Sequence, residues 1–447
     1  MSHTLLKAIF PSPIKADAMW TRRGILFFVF TIVLTLWAYS QHQQRFPRPE
    51  FETGYEQPDA TTPEPRSGAV ELIDVLVLTL ALSGGVWLAL KKRSRKGILW
   101  LSIFSLAYFG FFREGCICSV GSLQNIALSL FDPGYAVSLN VLAFFVIPLV
   151  FALFFGRIFC GSVCPLGVIQ DLVVLKPVKL PHGLQTVLGL LPFLYLGFAV
   201  LFAATGTDFI ICRYDPFVGI FRLGAPFHMI MLGVLFLLIG MFVSRPYCRF
   251  LCPYGVLLGW MSRFSRRHLT ITPAECIECK LCADSCPFDA IEAPTGDLSA
   301  ERTSKNRNRF IVYAILIPVI AFAAGFLLNR AHPYLAKANS TVYLADLLVT
   351  QPEMQFNTEN LDISTFMASG KSLATLTEEA DAIRHSFAAG SWYLGIFLGL
   401  VFGFTLLNQV IYRRREGYTP HKGDCVSCGR CFDYCPVQKH AENTNHE

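Results

Sequence analysis

Residues 156–167 read GRIFCGSVCPLG, and 88 positions later residues 244–255 read SRPYCRFLCPYG. Both place an Arg, an aromatic, Cys-x-x-x-Cys-Pro and a Gly at the same offsets. Each stands just past the end of an apolar run. Within a pair the i, i+4 spacing puts both thiols on one face if the segment is helical. The Pro after the second Cys suits a first helical turn or a break.

The doubling is larger than the motif. In 97–175 and again in 184–263 the order is apolar run, polar loop, apolar run, Cys-x-x-x-Cys-Pro. The loops read REGCICSVGSLQN (113–125) and TDFIICRYDPF (207–217), with Cys118 and Cys212 at matching places and Cys116 extra. Two spans per copy give both copies the same orientation, a parallel repeat about an axis along the membrane normal. Such a bundle would gather Cys160, Cys164, Cys248 and Cys252 near the axis, and Cys118 near Cys212 at the other side.

The chain is 53% hydrophobic and only 16% charged over 447 residues, too little polar surface for a soluble protein of this size. Eight apolar segments are legible: 24–39, 72–90, 97–112, 136–155, 184–204, 227–243, 310–328 and 392–412. About 20 apolar residues cross the hydrocarbon as a helix. Ser-Gln-His-Gln after the first is a poor cleavage site, so that segment reads as an uncleaved anchor. With both ends on one side, 28 of the 38 Lys and Arg fall on that side, which is then cytoplasmic. KKRSRK (91–96) and RRR (413–415) read as anchors beside spans, not as nucleic-acid contacts.

Two runs carry iron–sulfur chemistry. CIECKLCADSCP supplies Cys276, Cys279, Cys282 and Cys286, and CVSCGRCFDYCP supplies Cys425, Cys428, Cys431 and Cys435. Both are C-x2-C-x2-C-x3-C-P, the bacterial ferredoxin spacing for a [4Fe–4S] cluster, in which the fourth Cys commonly ligates the other cluster. Zinc favours two separated Cys pairs, and disulfides are rare in the cytoplasm. The expectation is one two-cluster ferredoxin domain split by a helical hairpin. Crossed ligation gives one cluster Cys276, Cys279, Cys282 and Cys435, and the other Cys425, Cys428, Cys431 and Cys286.

For Cys160, Cys164, Cys248, Cys252, Cys116, Cys118 and Cys212 two readings stand. One is an additional redox, metal or iron–sulfur site that shortens the electron's path across the membrane. The other is packing in tight turns, with inert thiols or a far-side disulfide.

At these residues the chain resembles the membrane polyferredoxins of the NapH/MauN kind, the membrane half of NosR and the CcoG/FixG-type oxidase accessory proteins. The resemblance covers about 97–290 and the last 30 residues, and REGCICSVGSLQN points most toward the NosR-like branch. It implies electron transfer between the quinone pool and periplasmic redox partners, or help in assembling metalloenzymes. NosR carries a flavin domain outside the membrane. Here 41–71 is a Pro/Glu-rich linker and 329–391 has no flavin-attachment motif, so no flavin is expected on this chain.

The expected fold is an all-α polytopic membrane protein of about eight spans with an internal parallel repeat, plus a small split ferredoxin-like α+β domain. Its parts are an N-terminal two-helix anchor (1–96), membrane repeats at 97–183 and 184–265, ferredoxin half 1 (266–309), a transmembrane hairpin (310–412, with 329–391 outside) and ferredoxin half 2 (413–447). Both termini lie on the cytoplasmic face of a prokaryotic inner membrane. The function expected is an electron relay between quinol or cytoplasmic donors and a periplasmic flavoprotein or cytochrome. The alternative is an accessory reductase for a maturing copper or iron enzyme. No catalytic residue is assigned, and no nucleotide, hydrolase or nucleic-acid motif is found. Asp74 reads as an interfacial residue just inside the headgroups. Gln170, Asp171, Asp215, Arg213, Arg222 and His228 are candidate polar groups for a quinol, each more simply a solvated span end. Residues 370–388 read as an amphipathic helix.

Overall fold

The computed structural model describes residues 68–115, 118–222, 224–271, 276–295, 300–353, 360–368, 370–411, 414–415 and 417–437. The first expected span (24–39), most of the 41–71 linker and Cys116 lie outside these. The main unit comprises the described residues of 60–355 and 370–447. Helix Leu361–Ala368, started by an Asn360 carboxamide that accepts the Asp362 N–H (3.0 Å), belongs to a second unit.

The chain is a helical membrane protein. Among the described residues four helices are long and apolar enough to cross a membrane: Gly68–Lys91, His182–Ala204, Asn306–Ala336 and Leu373–Asn408. Leu139–Phe155 and Phe227–Gly240 are apolar but shorter, and Arg95–Ser105 continues as a π turn to Phe112. Seven of the eight expected segments therefore fall on described helices, and four meet the length for a span. Each buries one stripe. Asp74, Leu78, Ala81, Leu82 and Gly85 recur at helical spacing on the first, and Phe144, Pro148 and Ala152 on Leu139–Phe155. The wider remaining faces, with Leu80, Trp100 and Val319 exposed, suit lipid.

The 310–328 and 392–412 segments form a hairpin of two long helices, Ala300–Ala336 and Leu373–Asn408, packed along their length. Gly395, Gly399 and Gly403 face the partner helix, and a Cβ on Gly399 would sit 2.6 Å from the Ala321 Cα. Small residues at i, i+4 and i+8 let the backbones approach where no hydrophobic effect drives them together. Asn329 Nδ2 closes the far end on the Ala388 carbonyl (2.8 Å). The amphipathic stretch 370–388 is not a separate helix. Nothing breaks the chain before the span, so the two run as one helix of 36 residues, capped by Ser372.

Two expectations are corrected. The 113–135 loop contains helix Ser119–Phe131, whose first residues, Ser119 to Gln124, are buried against Leu139–Phe155 and Leu191–Ala204. Its SVGSLQN start carries small residues that fit between helices, which is why a loop-like composition packs inside. Asp74 does not face solvent or lipid: it is 1% exposed, ion-paired with buried Arg113 and accepts the Tyr108 hydroxyl (2.9 Å). Pairing is what lets a carboxylate remain inside such a bundle.

Candidate functional site

The two ferredoxin runs, 138 residues apart, come together at one end of the bundle. Strands Ile291–Glu292 and Thr419–Pro420 pair antiparallel, with Ile291 opposite Pro420, and His421 N–H donates to the Ala290 carbonyl (2.7 Å). An Arg415–Glu292 ion pair (2.6 Å) adds a second tie. Helices Leu281–Ser285 and Arg430–Asp433 pack face to face. Lys280 and Gly429 stand left-handed before these helices, turning each cysteine loop back on itself.

The thiols sort across the halves. Cys276, Cys279, Cys282 and Cys435 line one cavity with Ile277, Tyr418 and Pro436. Cys286 is buried in a common cluster with Cys425, Cys428 and Cys431, and its charge acts on Cys425 and Cys431. Burial pushes the Cys425 thiol up to about 12 and raises Cys431 too, so iron must displace protons to bind. Among the described residues no three His, Cys, Asp or Glu converge on a point fit for one ion. A cube takes one thiolate per iron and needs wider spacing, and the donor set of three cysteines plus one fits that demand.

Both Cys-x-x-x-Cys-Pro motifs lie beneath this domain, and the helix is broken inside each. Cys160 sits in a π turn (Phe159–Val163) and Cys248 in helix Pro246–Phe250. Cys164 and Cys252 are extended N-caps of helices Pro165–Leu172 and Pro253–Arg263, with the following Pro in the first turn. The pairs therefore do not share a regular helical face; the Pro starts a new helix instead. The two motifs clasp each other reciprocally. A Cβ on Gly167 would meet the Cys160 carbonyl (2.8 Å) and Arg245 Nη1 (3.2 Å). A Cβ on Gly255 would meet the Cys248 carbonyl (3.5 Å) and Arg157 Nη2 (3.2 Å). Each glycine admits its own motif's carbonyl and the other motif's arginine.

Two residues behind the first motif complete the site. Buried Gln170 accepts the Tyr247 N–H (3.0 Å) and donates Nε2 to Cys248 Sγ (3.2 Å), positioning the other motif. Asp171 faces three guanidinium groups: Arg430 (3.2 Å), Arg245 (3.4 Å) and Arg95 (3.5 Å). Burial raises its carboxyl, but Arg245, Arg430 and Arg95 outweigh that and hold it below the usual carboxylate range. Arg95 also donates to the Cys428 carbonyl (2.7 Å), and Arg245 reaches the Cys160 carbonyl and lies over the Phe288 ring. Gln170 and Asp171 were legible as polar outliers, but not as the ties between motif and ferredoxin.

At the opposite end Cys118 and Cys212 approach across Gly121, where a Cβ would lie 3.0 Å from Cys212 Sγ and 4.0 Å from Cys118 Cβ. Gln124, which no sequence pattern marked, accepts the N–H of Ile211 (2.9 Å) and Cys212 (3.4 Å) from inside the bundle. Cys118 and Cys164 line one narrow apolar cavity, so the two ends face a common interior. Asp215 caps a short helix through Phe217 N–H (2.9 Å), Arg213 pairs with Asp208 (2.8 Å) and Arg222 reaches the Glu114 carbonyl (3.4 Å). These contacts tie the three side chains to the loop.

Known proteins share this pattern. A family model described as "4Fe-4S binding domain" matches twice, at 137–181 and 225–272, and a second of the same description matches 269–292. The methylamine utilization ferredoxin-type protein MauN of Methylobacillus flagellatus is 28% identical over 154 residues, 33% of this chain and 54% of that protein. The regulatory protein NosR of Stutzerimonas stutzeri is 26% identical over 226 residues, 46% of this chain and 30% of NosR. The chain is similar to the NosR/NapH/MauN-like membrane ferredoxins. An uncharacterized protein of Methanocaldococcus jannaschii is 29% identical over 192 residues, 40% of this chain and 77% of that protein. The chain thus spans most of the archaeal relative, about half of MauN and less than a third of NosR. No solved structure matches it. The 4Fe-4S models, the ferredoxin-type relatives and the apolar helices together support an iron–sulfur, electron-transport protein of the membrane.

Proposed function

We propose that the protein relays single electrons through a prokaryotic inner membrane, between quinol or cytoplasmic donors and a periplasmic redox partner. In this reading both termini and the ferredoxin face the cytoplasm. Two [4Fe–4S] clusters supply the one-electron chemistry when bound, one held by Cys276, Cys279, Cys282 and Cys435, the other by Cys425, Cys428, Cys431 and Cys286. The protein's share is to bind, bury and hold them at a fixed place on the membrane bundle.

One observation carries the reading. The carbonyl of Val426, inside the second cysteine run, rests on Gly161, the residue after Cys160, and Val426 lines a cavity with Cys160 and Cys248. A cysteine run that seats on the membrane motifs is placed for electron exchange with them. Hydrocarbon is about 30 Å thick, so a crossing needs intermediate stations. The parallel repeat, supported by the twofold family match and the reciprocal clasp, gathers Cys160, Cys164, Cys248 and Cys252 at one end. Cys118 and Cys212, with Cys116 beside them in sequence, are the stations proposed at the other.

The test is the double variant Cys160→Ser with Cys248→Ser, purified anaerobically and returned to vesicles. Transfer to an outside acceptor should be lost while both ferredoxin EPR signals persist. Unchanged transfer would reduce these thiols to packing residues. A second reading, an accessory reductase for a maturing metalloenzyme, draws on the relatives named regulatory or methylamine-utilization proteins. It differs in the acceptor, not in the route.

A further inference from the structure

Cys118 and Cys212 occupy matching places in the two membrane copies, and a repeat about one axis brings like residues face to face. Two separate elements deliver them. Cys118 is the extended N-cap of helix Ser119–Phe131, and Cys212 lies in the short helix Ile210–Arg213. Gln124 of the first element fixes the second, because its carboxamide oxygen accepts the N–H of Ile211 (2.9 Å) and of Cys212 (3.4 Å). Gly121 leaves the gap between them. A Cβ at that position would lie 3.0 Å from Cys212 Sγ and 4.0 Å from Cys118 Cβ, so both cysteines border a space that one methyl group would fill. A disulfide holds its Cβ atoms about 3.5–4.5 Å apart, and it needs such an opening between the two backbones.

The two thiols differ in access. Cys212 is exposed, and Arg213 beside it is mostly exposed and ion-paired with Asp208 (2.8 Å), so the sulfur stands in a polar loop. Cys118 is half-buried and lines the narrow apolar cavity that reaches Cys164. Asp215, 4% exposed, lines that cavity as well. Burial pushes the Cys118 thiol up to about 12 and raises Cys212, Asp215 adds to both, and Arg222 opposes the rise at Cys212. The resting dithiol is therefore protonated, and Cys212 is the sulfur that an outside group meets first. A packing thiol needs neither exposure nor a matched partner across a glycine. An outward sulfur that can be reached, with an inward one placed to displace what it binds, is the arrangement that thiol–disulfide exchange requires.

We propose that Cys118 and Cys212 form a reversible dithiol–disulfide couple, and that the outside redox partner is a protein disulfide. Cys212 sulfur attacks one sulfur of the partner's disulfide, which forms a mixed disulfide and releases one partner thiol. Cys118 sulfur then attacks Cys212 sulfur, which closes the Cys118–Cys212 bond and releases the second partner thiol. The two protons leave the two cysteines and end on the partner's two sulfurs, and the partner gains two electrons. The couple rests on the electron-relay reading for its return: two electrons, passed singly from the two clusters, and two protons restore the thiols.

The experiment uses the full-length protein, purified anaerobically with its clusters and equilibrated in buffers of graded reduced-to-oxidised glutathione ratio, then acid-quenched for peptide mapping. Cys118 and Cys212 should pass together from free thiols to a cross-linked pair, along a two-electron curve. Cys118→Ser should leave Cys212 as a glutathione mixed disulfide, about tenfold more abundant than in the parent, where Cys118 displaces the glutathione. Gly121→Ala, which puts a methyl group in the gap, should slow closure about tenfold. Cys116→Ser should leave closure unchanged. The ferredoxin EPR signals of each variant report that it is folded. A pair that stays reduced at every ratio is packing, and a pair that stays cross-linked at every ratio is a fixed bridge; either result overturns the proposal. The switch is read without electron flow, so the two readings fail separately. If the pair switches with glutathione but dithionite enclosed on the ferredoxin side of vesicles does not reopen the bond, the relay reading falls and the couple stands. If the pair does not switch while electrons still reach an outside acceptor, the couple falls and the relay stands.

Discussion

The motifs at 156–167 and 244–255 share Arg, Cys, Cys-Pro and Gly and differ at positions that meet the two ferredoxin halves. After the first Cys, one copy has Gly161 and the other Arg249. Gly161 admits the Val426 carbonyl from ferredoxin half 2, while Arg249 faces Asp289 of half 1 and lies over the Phe250 ring. The opening residue differs too: Gly156 at φ +84° against Ser244, which is buried. A near-symmetric base thus carries an asymmetric load. Its shared residues (Arg, Cys, Cys-Pro, Gly) hold the two copies together, and its divergent ones assign each ferredoxin half to a copy.

The sharpest way to break that assignment is Gly161→Leu. No side chain fits against a backbone carbonyl, and Val426 cannot retreat without moving Cys425 and Cys428. The expected outcome is loss of the cluster assigned to Cys425, Cys428, Cys431 and Cys286, read as missing iron and one missing EPR signal. The membrane helices should remain folded by circular dichroism. An intact second signal would show that the seat is not needed for assembly.

Next in size is Asp171→Asn. It leaves Arg95, Arg245 and Arg430 facing one another with no carboxylate, and breaking a buried pair this way costs about 3–5 kcal/mol. Because those arginines come from the 91–96 anchor, the second motif and ferredoxin half 2, urea should release the ferredoxin from the membrane domain earlier than in the parent. Limited proteolysis reads that release. An unchanged midpoint would mean that the arginines find other partners.

Much of this was legible, and for identifiable reasons. The ferredoxin runs are local patterns whose spacing is dictated by a cube, so their residues could be named from the sequence. The apolar segments are local too, and the described ones fall on helices. What was hidden is long-range and polar. Gln124 reaches Cys212 across 88 residues and Arg430 reaches Asp171 across 259, and no periodicity reports such pairs. Asp74 looked like a span end because its partner Arg113 sits in a segment that read as a loop. The burial of helix Ser119–Phe131 was missed because Ser, Gly, Gln and Asn mark turns in water but close packing between membrane helices.

A smaller effect is expected from Arg249→Gln. At 3.9 Å from Asp289 and partly exposed, the pair should contribute no more than about 1 kcal/mol. The variant tests whether the divergent arginine assigns ferredoxin half 1 by charge. Combined with Asp289→Asn, the double variant should lose little more than either single one. If the losses simply add, the two residues act apart and Arg249 matters through its stacking on Phe250.

An effect confined to acid pH concerns the opening glycine of the first motif. A Cβ on Gly156 would fall 2.5 Å from His268 Nδ1, so the histidine occupies the space a side chain at 156 would need. Both ring nitrogens of His268 are buried without hydrogen-bond partners among the described residues, and burial, with the charges of Lys422 and His421, lowers its pKa to about 4. The unfolded chain would titrate near 6.5. Between about 6.5 and about 4 the unfolded state therefore binds more protons than the folded one. Stability attributable to this residue is full above 6.5, falls as pH drops through that window, and is level below it. His268→Gln removes the titration while keeping a polar side chain of similar reach. Thermal unfolding of the two proteins should diverge in pH dependence only between 4 and 6.5, with the parent losing more. Parallel curves across that window would mean that His268 is solvated in the folded protein, and that Gly156 is needed for the turn alone.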